Sequence, residues 1–420
     1  MRPVIPLAAL ALIGSPLLAQ VYPDGPRPPT PRPDKGGGGG GIGGISIGIS
    51  LGKKKPKAPP APPMNMVDAD IPDYVEGEAL FFVKGDIKSV DRTARAAKIT
   101  VIETTYLDEL DETMVRAKIA PGDTVETAVA RLKTQKGVTS AQPNVLYQLL
   151  GSSAREKGAG LHGIKLSDKS KVSGRILMID STIDTANAAL KGAVITQQIF
   201  ADNKVASAHG TAIAEILVGT GTAGGVAQGA SLISLAAFEP AGEKTWLSTT
   251  AKLLKASNAA PKFSPNVVNL SFGAKSFDNK LNDMLDVFER KGICVAAAAG
   301  NDSSAVKFPA RKSTVIAVTA VSGNGKTVYS AASKGPEVDV AAWGVGMLAA
   351  TPDGWRTVSG TSFATAVVTG GLLRLNGCNG GAMPAATRTF IAGAAEDLGA
   401  KGPDSIFGAG LFRLSAPKKK

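Results

Sequence analysis

Cysteine and histidine are scarce in this 420-residue sequence, with two of each. Two cysteines cannot make a dense disulfide scaffold, nor hold a structural zinc without help. With only His162 and His209, any chemistry that needs an imidazole has two choices. Zinc-finger spacings, RNP-type aromatics and a basic helix are all missing. The formal net charge of +12 is therefore read as lysine scattered over a solvated surface, and nucleic acid is not an expected partner. Beyond the N-terminus no uncharged apolar run reaches the roughly 18 residues of a membrane-spanning helix, so no membrane span is expected in the mature chain.

What is present divides the chain unevenly. Arg2, an apolar stretch over residues 4–18 and Leu18-Ala19-Gln20 read as a secretory signal over residues 1–19. The expected location is secreted or periplasmic. Residues 20–70 alternate Pro with Arg, run through six consecutive glycines and end in a Lys/Pro/Ala mixture. Such a composition cannot bury enough apolar surface to offset chain entropy, and disorder is expected there. A period-2 alternation of Ile45, Ile47, Ile49 and Leu51 lies inside it.

Residues 71–150 read as a small α+β domain. Strands are expected at 79–83, 99–106 and 113–119, with a last short one near 145–150. A helix follows Pro121-Gly122, with Asp123 as its cap and Glu126 at the capping-box position. From 160 to 417 the pattern changes. Continuous apolar runs at 175–179, 231–237, 266–270, 293–299 and 315–321 alternate with amphipathic stretches. Apolar strands between amphipathic helices predict an α/β domain, with a mostly parallel central sheet and helices on both faces. Ligands of open parallel sheets sit at the carboxyl ends of the strands.

The candidate reactive residues follow those strands. Asp180 ends the run Arg175-Ile176-Leu177-Met178-Ile179. His209 opens a helix in Ala208-His209-Gly210-Thr211-Ala212. Asn301 follows the small-residue strand 295–299 and Gly300. Ser362 lies in Ser359-Gly360-Thr361-Ser362-Phe363-Ala364-Thr365-Ala366, at the start of a stretch with few polar residues. A serine at the N-terminus of a buried helix has its Oγ in the helix's positive field, which also suits a developing oxyanion.

These four words in this order resemble the subtilisin-like serine peptidases, or subtilases. The resemblance runs from about 160 to 417 and includes Val267-Val268-Asn269-Leu270-Ser271-Phe272-Gly273, similar to the family's substrate-pairing strand. Residues 71–150 resemble the family's inhibitor-type propeptide. The resemblance implies a fold of subtilisin type and a secreted endopeptidase made as a self-processing zymogen. It assigns Asp180, His209 and Ser362 as the catalytic triad and Asn301 as oxyanion donor. Ser271, Phe272 and Gly273 would bind the substrate backbone. Ala298, Ala299 and Gly300 would wall a roomy specificity pocket. The expected partners are a protein or peptide substrate and the chain's own propeptide, in a monomer. No cofactor or catalytic metal is implied, and a structural calcium is left open. The chain departs from the family's usual words at Thr182, Phe363 and Ala366. The alternative function is a weak or inactive subtilase-like protein that binds peptides. The strand near 145–150 is expected to lie along Ser271–Gly273, with a self-processing cut between residues 148 and 160. Whether Cys294 and Cys378 are bridged stays open, two free buried thiols being the expected state.

Overall fold

The computed structural model describes residues 71–84, 88–151, 171–221, 224–242, 245–378 and 384–414. The expected signal over 1–19, the segment 20–70, His162 and most of the 148–160 cleavage window lie outside these residues.

The described chain opens with β1 (Tyr74–Val83), α1 (Lys88–Ala96), β2 (Thr100–Leu107), β3 (Glu112–Lys118), α2 (Val125–Lys133) and β4 (Val138–Leu149). The four strands form an antiparallel sheet in the order β4-β1-β3-β2. Residues 79–83 are apolar without a break because both faces of β1 are covered. Ala79, Phe81 and Val83 pack with Val90, Val129 and Leu132. Leu80 and Phe82 belong to a second cluster, shared with the larger sheet below. Burying each such large side chain is worth about 1.5–3 kcal/mol.

Two details differ from the expected elements. The cap of α2 is Thr124, whose hydroxyl accepts from the Thr127 N–H, while Asp123 pairs with Arg131. The final strand is much longer than 145–150, because β4 runs straight through Gln142-Pro143-Asn144 instead of turning there. Pro143 donates no hydrogen bond, and the β1–β4 ladder breaks register beside it. α1, absent from the expected elements, carries a short apolar stripe at Val90 and Ala94, continued by Ala97 just past its end, among charged residues.

The rest of the chain contains β5 (Arg175–Ser181), β6 (Val194–Ile199), α3 (Ala208–Val218), β7 (Ser231–Pro240), β8 (Trp246–Thr249) and α4 (Thr250–Ala259). β9 (Val267–Leu270), β10 (Phe272–Gly273), α5 (Asn279–Arg290), β11 (Cys294–Ala298), β12 (Ile316–Val321) and β13 (Val340–Trp343) follow. The hairpin β14 (Met347–Thr351) and β15 (Gly354–Val358), then α6 (Thr361–Arg374), α7 (Pro384–Ala394), β16 (Ala395–Glu396) and β17 (Leu411–Phe412) complete it.

The core is a parallel sheet in the order β6-β7-β5-β9-β11-β12-β13. One face buries α3 and α6 residues such as Ile213, Leu217, Val367 and Leu372. The other buries Leu253, Leu254, Leu281 and Leu285 of α4 and α5. The strand order reverses between β5 and β9, so a crevice opens at their carboxyl ends. The small sheet lies over α4 and α5. There Gln142 Nε2 (2.7 Å) and the Tyr147 hydroxyl (2.9 Å) donate to Asp278, the N-cap of α5. Asn144 accepts from the Ala251 N–H in the first turn of α4 (3.1 Å).

Cys294 and Cys378 form a disulfide, with 5.9 Å between their Cα atoms. The expectation of two free thiols is thereby corrected. α6 runs back across the sheet, so the turn after its C-terminus reaches the start of β11. The bridge closes a loop spanning 84 positions, and chain entropy gives it about 4–5 kcal/mol of stabilisation. Thiol titration of the unfolded, unreduced protein should find no free group. Two free thiols per chain would contradict the bridge.

Candidate active site

Asp180, the penultimate residue of β5, lies at the crevice and is fully buried. Its Oδ1 accepts from the Ser181 N–H (2.7 Å) and lies 2.9 Å from His209 Nδ1. His209 is in the first turn of α3. Ser207 caps that helix by accepting from the Gly210 N–H (3.1 Å), and its own N–H is held by the Thr182 carbonyl (2.8 Å). Gly210 is there for space: a Cβ would stand 2.5 Å from the Ser181 carbonyl oxygen. β5 and α3 can therefore approach until the imidazole meets the carboxylate. His209 Nε2 is buried and has no hydrogen-bond partner among the described residues.

Ser362 is in the first turn of α6. The preceding Gly360 has φ of 149°, a value side-chain-bearing residues rarely adopt. A Cβ at Gly360 would stand 2.8 Å from Asn301 Nδ2 and 3.0 Å from the Leu150 oxygen. Asn301 Oδ1 accepts from the Thr361 N–H (3.0 Å) and hydroxyl (2.9 Å). That fixes the amide plane and leaves Nδ2 buried without a partner among the described residues. Two donors, Asn301 Nδ2 and the Ser362 N–H, thus flank one small space.

That space holds the end of β4. The Leu150 carbonyl accepts from the Ser362 N–H (3.1 Å), and the Leu150 N–H donates to Ser271 (3.1 Å). The Ser362 hydroxyl is within hydrogen-bond reach of the carbonyls of Ser271 (2.9 Å) and Leu150. Upstream, Leu149 pairs with Phe272 and Gln148 with Gly273 in an antiparallel ladder. A segment of the chain's own backbone therefore lies as a strand across the crevice.

The structure brings Asp180, His209, Asn301, Ser362, Ser271, Phe272 and Gly273 around that segment. Ala298, the last residue of β11, and Ala299 after it are fully buried. The Ala299 backbone is engaged by Val318 and Lys307 (2.9 and 2.8 Å). A Cβ at Gly273 would meet both the Leu150 side chain (2.9 Å) and Lys307 Cβ (2.8 Å). A Cβ at Gly300 would meet Lys307 Cγ (2.9 Å) and Ser333. The stem of Lys307 thus lies against both glycines. Lys307 Nζ pairs with Asp302 at 2.5 Å. Burial pushes the Asp302 carboxyl up, but Lys307, Ser304 and Ser333 outweigh it and the net shift is downward.

The strand expected near 145–150 does lie along Ser271–Gly273, but sequence reasoning did not single out Lys307 or Thr361. Nor did it find Thr369, which donates to Asn269 (3.0 Å), whose amide in turn holds the Ser271 hydroxyl (2.8 Å). Polar residues inside the apolar words of β9 and α6 were the available signal.

Glu215, two turns beyond His209 on α3, is also buried. Burial raises its carboxyl to about 7, against the smaller opposing pull of the Ala350 N–H. Below the unfolded value near 4.5 both states hold the proton and nothing is lost. Between about 4.5 and 7 only the folded state keeps it, so stability falls as pH rises through that window, by about 3 kcal/mol in total. Glu215→Gln should flatten that slope and stabilise the protein at pH 8. Urea midpoints from pH 4 to 8 would show it. An unchanged slope would refute it.

A family model described as the subtilase family matches residues 175–410. The thermophilic serine proteinase of Bacillus sp. (strain AK1) is 28% identical over 317 residues, covering 71% of this chain and 77% of the relative. Thermitase of Thermoactinomyces vulgaris is 31% identical over 217 residues, 48% of this chain and 75% of thermitase. Subtilisin E of Bacillus subtilis (strain 168) is 31% identical over 211 residues, and the match spans 53% of its length and 47% of this chain. The fold is similar to that of fervidolysin from Fervidobacterium pennivorans, a keratinolytic enzyme related to subtilisin. The TM-score is 0.68 at 23% identity, over 81% of this chain and 60% of that one.

Proposed function

The chain belongs to the subtilase family, and from that premise we propose that it is a secreted serine endopeptidase made as a zymogen that cuts itself between Leu150 and Gly151. The observation carrying this reading is the Leu150 carbonyl, seated on the Ser362 N–H with the strand before it paired to Phe272 and Gly273. Ser362 Oγ attacks the carbonyl carbon while His209 Nε2 takes its proton. Asp180 holds the imidazole tautomer and stabilises the imidazolium. The negative oxygen that forms moves onto the Ser362 N–H and Asn301 Nδ2, whose buried, unpartnered amide suits that role. Such a donor is worth roughly 3–4 kcal/mol in the transition state. His209 returns the proton to the leaving Gly151 nitrogen, and water then releases the acyl group.

In this reading residues 71–150 are an inhibitor-like propeptide and 160–417 the peptidase domain. Charge complementarity supports it. Glu103, Asp108, Glu109 and Glu112 of the small sheet pair with Lys255, Lys262, Lys291 and Lys280. After the cut, the propeptide would remain docked through these pairs and its β4 strand. Residues 1–19 would direct export and be removed. A serine-directed fluorophosphonate should label Ser362 once the propeptide is removed, and the new N-terminus should be Gly151. An unlabelled Ser362 in protein freed of its propeptide would instead favour a peptide binder that does not cut.

A further inference from the structure

The residue that follows the cut sits in a slot between two rings. Gly151 is buried. A Cβ added to it would stand 2.9 Å from His209 Cδ2, 3.1 Å from His209 Nε2 and 3.0 Å from Phe363 Cε2. Gly360 also lies close by, since a Cβ at Gly360 would stand 3.0 Å from the Gly151 Cα. Carbon atoms in contact prefer separations of roughly 3.5–4.0 Å, so even a methyl group at position 151 is too close to both rings. Gly151 does not have the left-handed φ that would demand glycine for backbone reasons. The constraint comes from the rings.

Neither ring yields cheaply. His209 is held by Asp180 at 2.9 Å, and swinging it away would spoil the alignment that proton transfer needs. Phe363 is 1% exposed, packed in the core cluster around α6, with its ring centroid 5.5 Å from that of His209. Of the two, only Phe363 is free of a role in the chemistry.

We propose that this peptidase selects glycine immediately after the bond it cuts, and that Phe363 is the specificity-determining residue. Its substrates are then polypeptides in which an apolar residue such as leucine is followed by glycine. The inference rests on the peptidase reading above, because it concerns the product side of the same bond.

The test uses the mature enzyme and peptides identical except for Gly, Ala, Ser or Val after a single Leu. One methyl group in a tight pocket changes kcat/KM by about 10- to 200-fold. Gly should therefore be preferred over Ala by at least about tenfold, with Val slower still. Phe363→Ala should reduce the Gly-to-Ala ratio by a similar factor, whatever it does to the absolute rate. In the full chain, Gly151→Ala should slow self-cleavage at this bond, and Phe363→Ala should restore it in the double variant. Equal cleavage of the Gly and Ala peptides by the unmodified enzyme would overturn the proposal, as would a ratio unmoved by Phe363→Ala. Failure to cut any peptide, with Ser362 unlabelled by fluorophosphonate, would instead overturn the peptidase reading and this inference with it.

Discussion

Ser362→Ala protein should accumulate uncut, with residues 71–150 still joined to the rest of the chain. The reason is local: the Leu150 carbonyl already lies on the Ser362 N–H, so on the proposed reading the same hydroxyl would serve the first cut and every later one. Removing the nucleophile of a serine peptidase costs about 10⁶-fold in kcat, enough to turn a conversion of minutes into one of years. Docking should survive, because it depends on β4 pairing and the interfacial ion pairs, which involve no Ser362 hydroxyl. His209→Ala should give the same precursor. Intact mass and N-terminal sequencing decide the matter. A Gly151 N-terminus in a pure Ser362→Ala preparation, free of other peptidases, would sink self-processing and weaken the role given to Ser362.

Asp180→Asn should lower kcat by about 10⁴-fold, or about 5.5 kcal/mol of barrier, with little change in KM. Asp180 Oδ1 receives both the Ser181 N–H and the imidazole Nδ1 side. An asparagine must either turn its NH₂ toward Nδ1, which forces the proton onto Nε2, or keep its oxygen there and lose the charge. In the first case His209 cannot accept the Ser362 proton. In the second the imidazolium that forms is left uncompensated in a fully buried site. Steady-state kinetics on a peptide, with circular dichroism to verify folding, would measure this. A loss below tenfold would show that Asp180 does not orient His209.

Much of the large domain is legible in the amino-acid sequence. Apolar runs without alternation announce strands buried on both faces, and the runs 175–179, 231–237, 266–270 and 315–321 match β5, β7, β9 and β12 to within a residue at their starts. The amphipathic stretch near 281–290 lies in α5, whose buried face is Leu281, Met284, Leu285 and Phe288. The local words at Asp180, His209, Asn301 and Ser362 name the candidates, because each needs a particular backbone: a strand end, a helix start, a glycine before the turn. Elsewhere a local signal misleads. Gln142-Pro143-Asn144 has turn composition, yet β4 passes through it, because Gln142 and Asn144 find partners at the starts of α5 and α4.

What the sequence alone determined here is the α/β class, the order of the strands and helices along the chain, and the residue types able to carry acyl transfer. Those depend on periodicity and on contacts a few residues apart. The tertiary structure decided what depends on closeness between distant residues. Cys294 met Cys378 only because α6 crosses back over the sheet. Lys307 came to lie against Gly273 and Gly300. Leu150 came to rest on Ser362, and Gly151 between His209 and Phe363. No pattern within a short window encodes contacts between residues so far apart in the chain. They are set by how the packed layers close on one another, where shifts of an ångström decide which side chains touch.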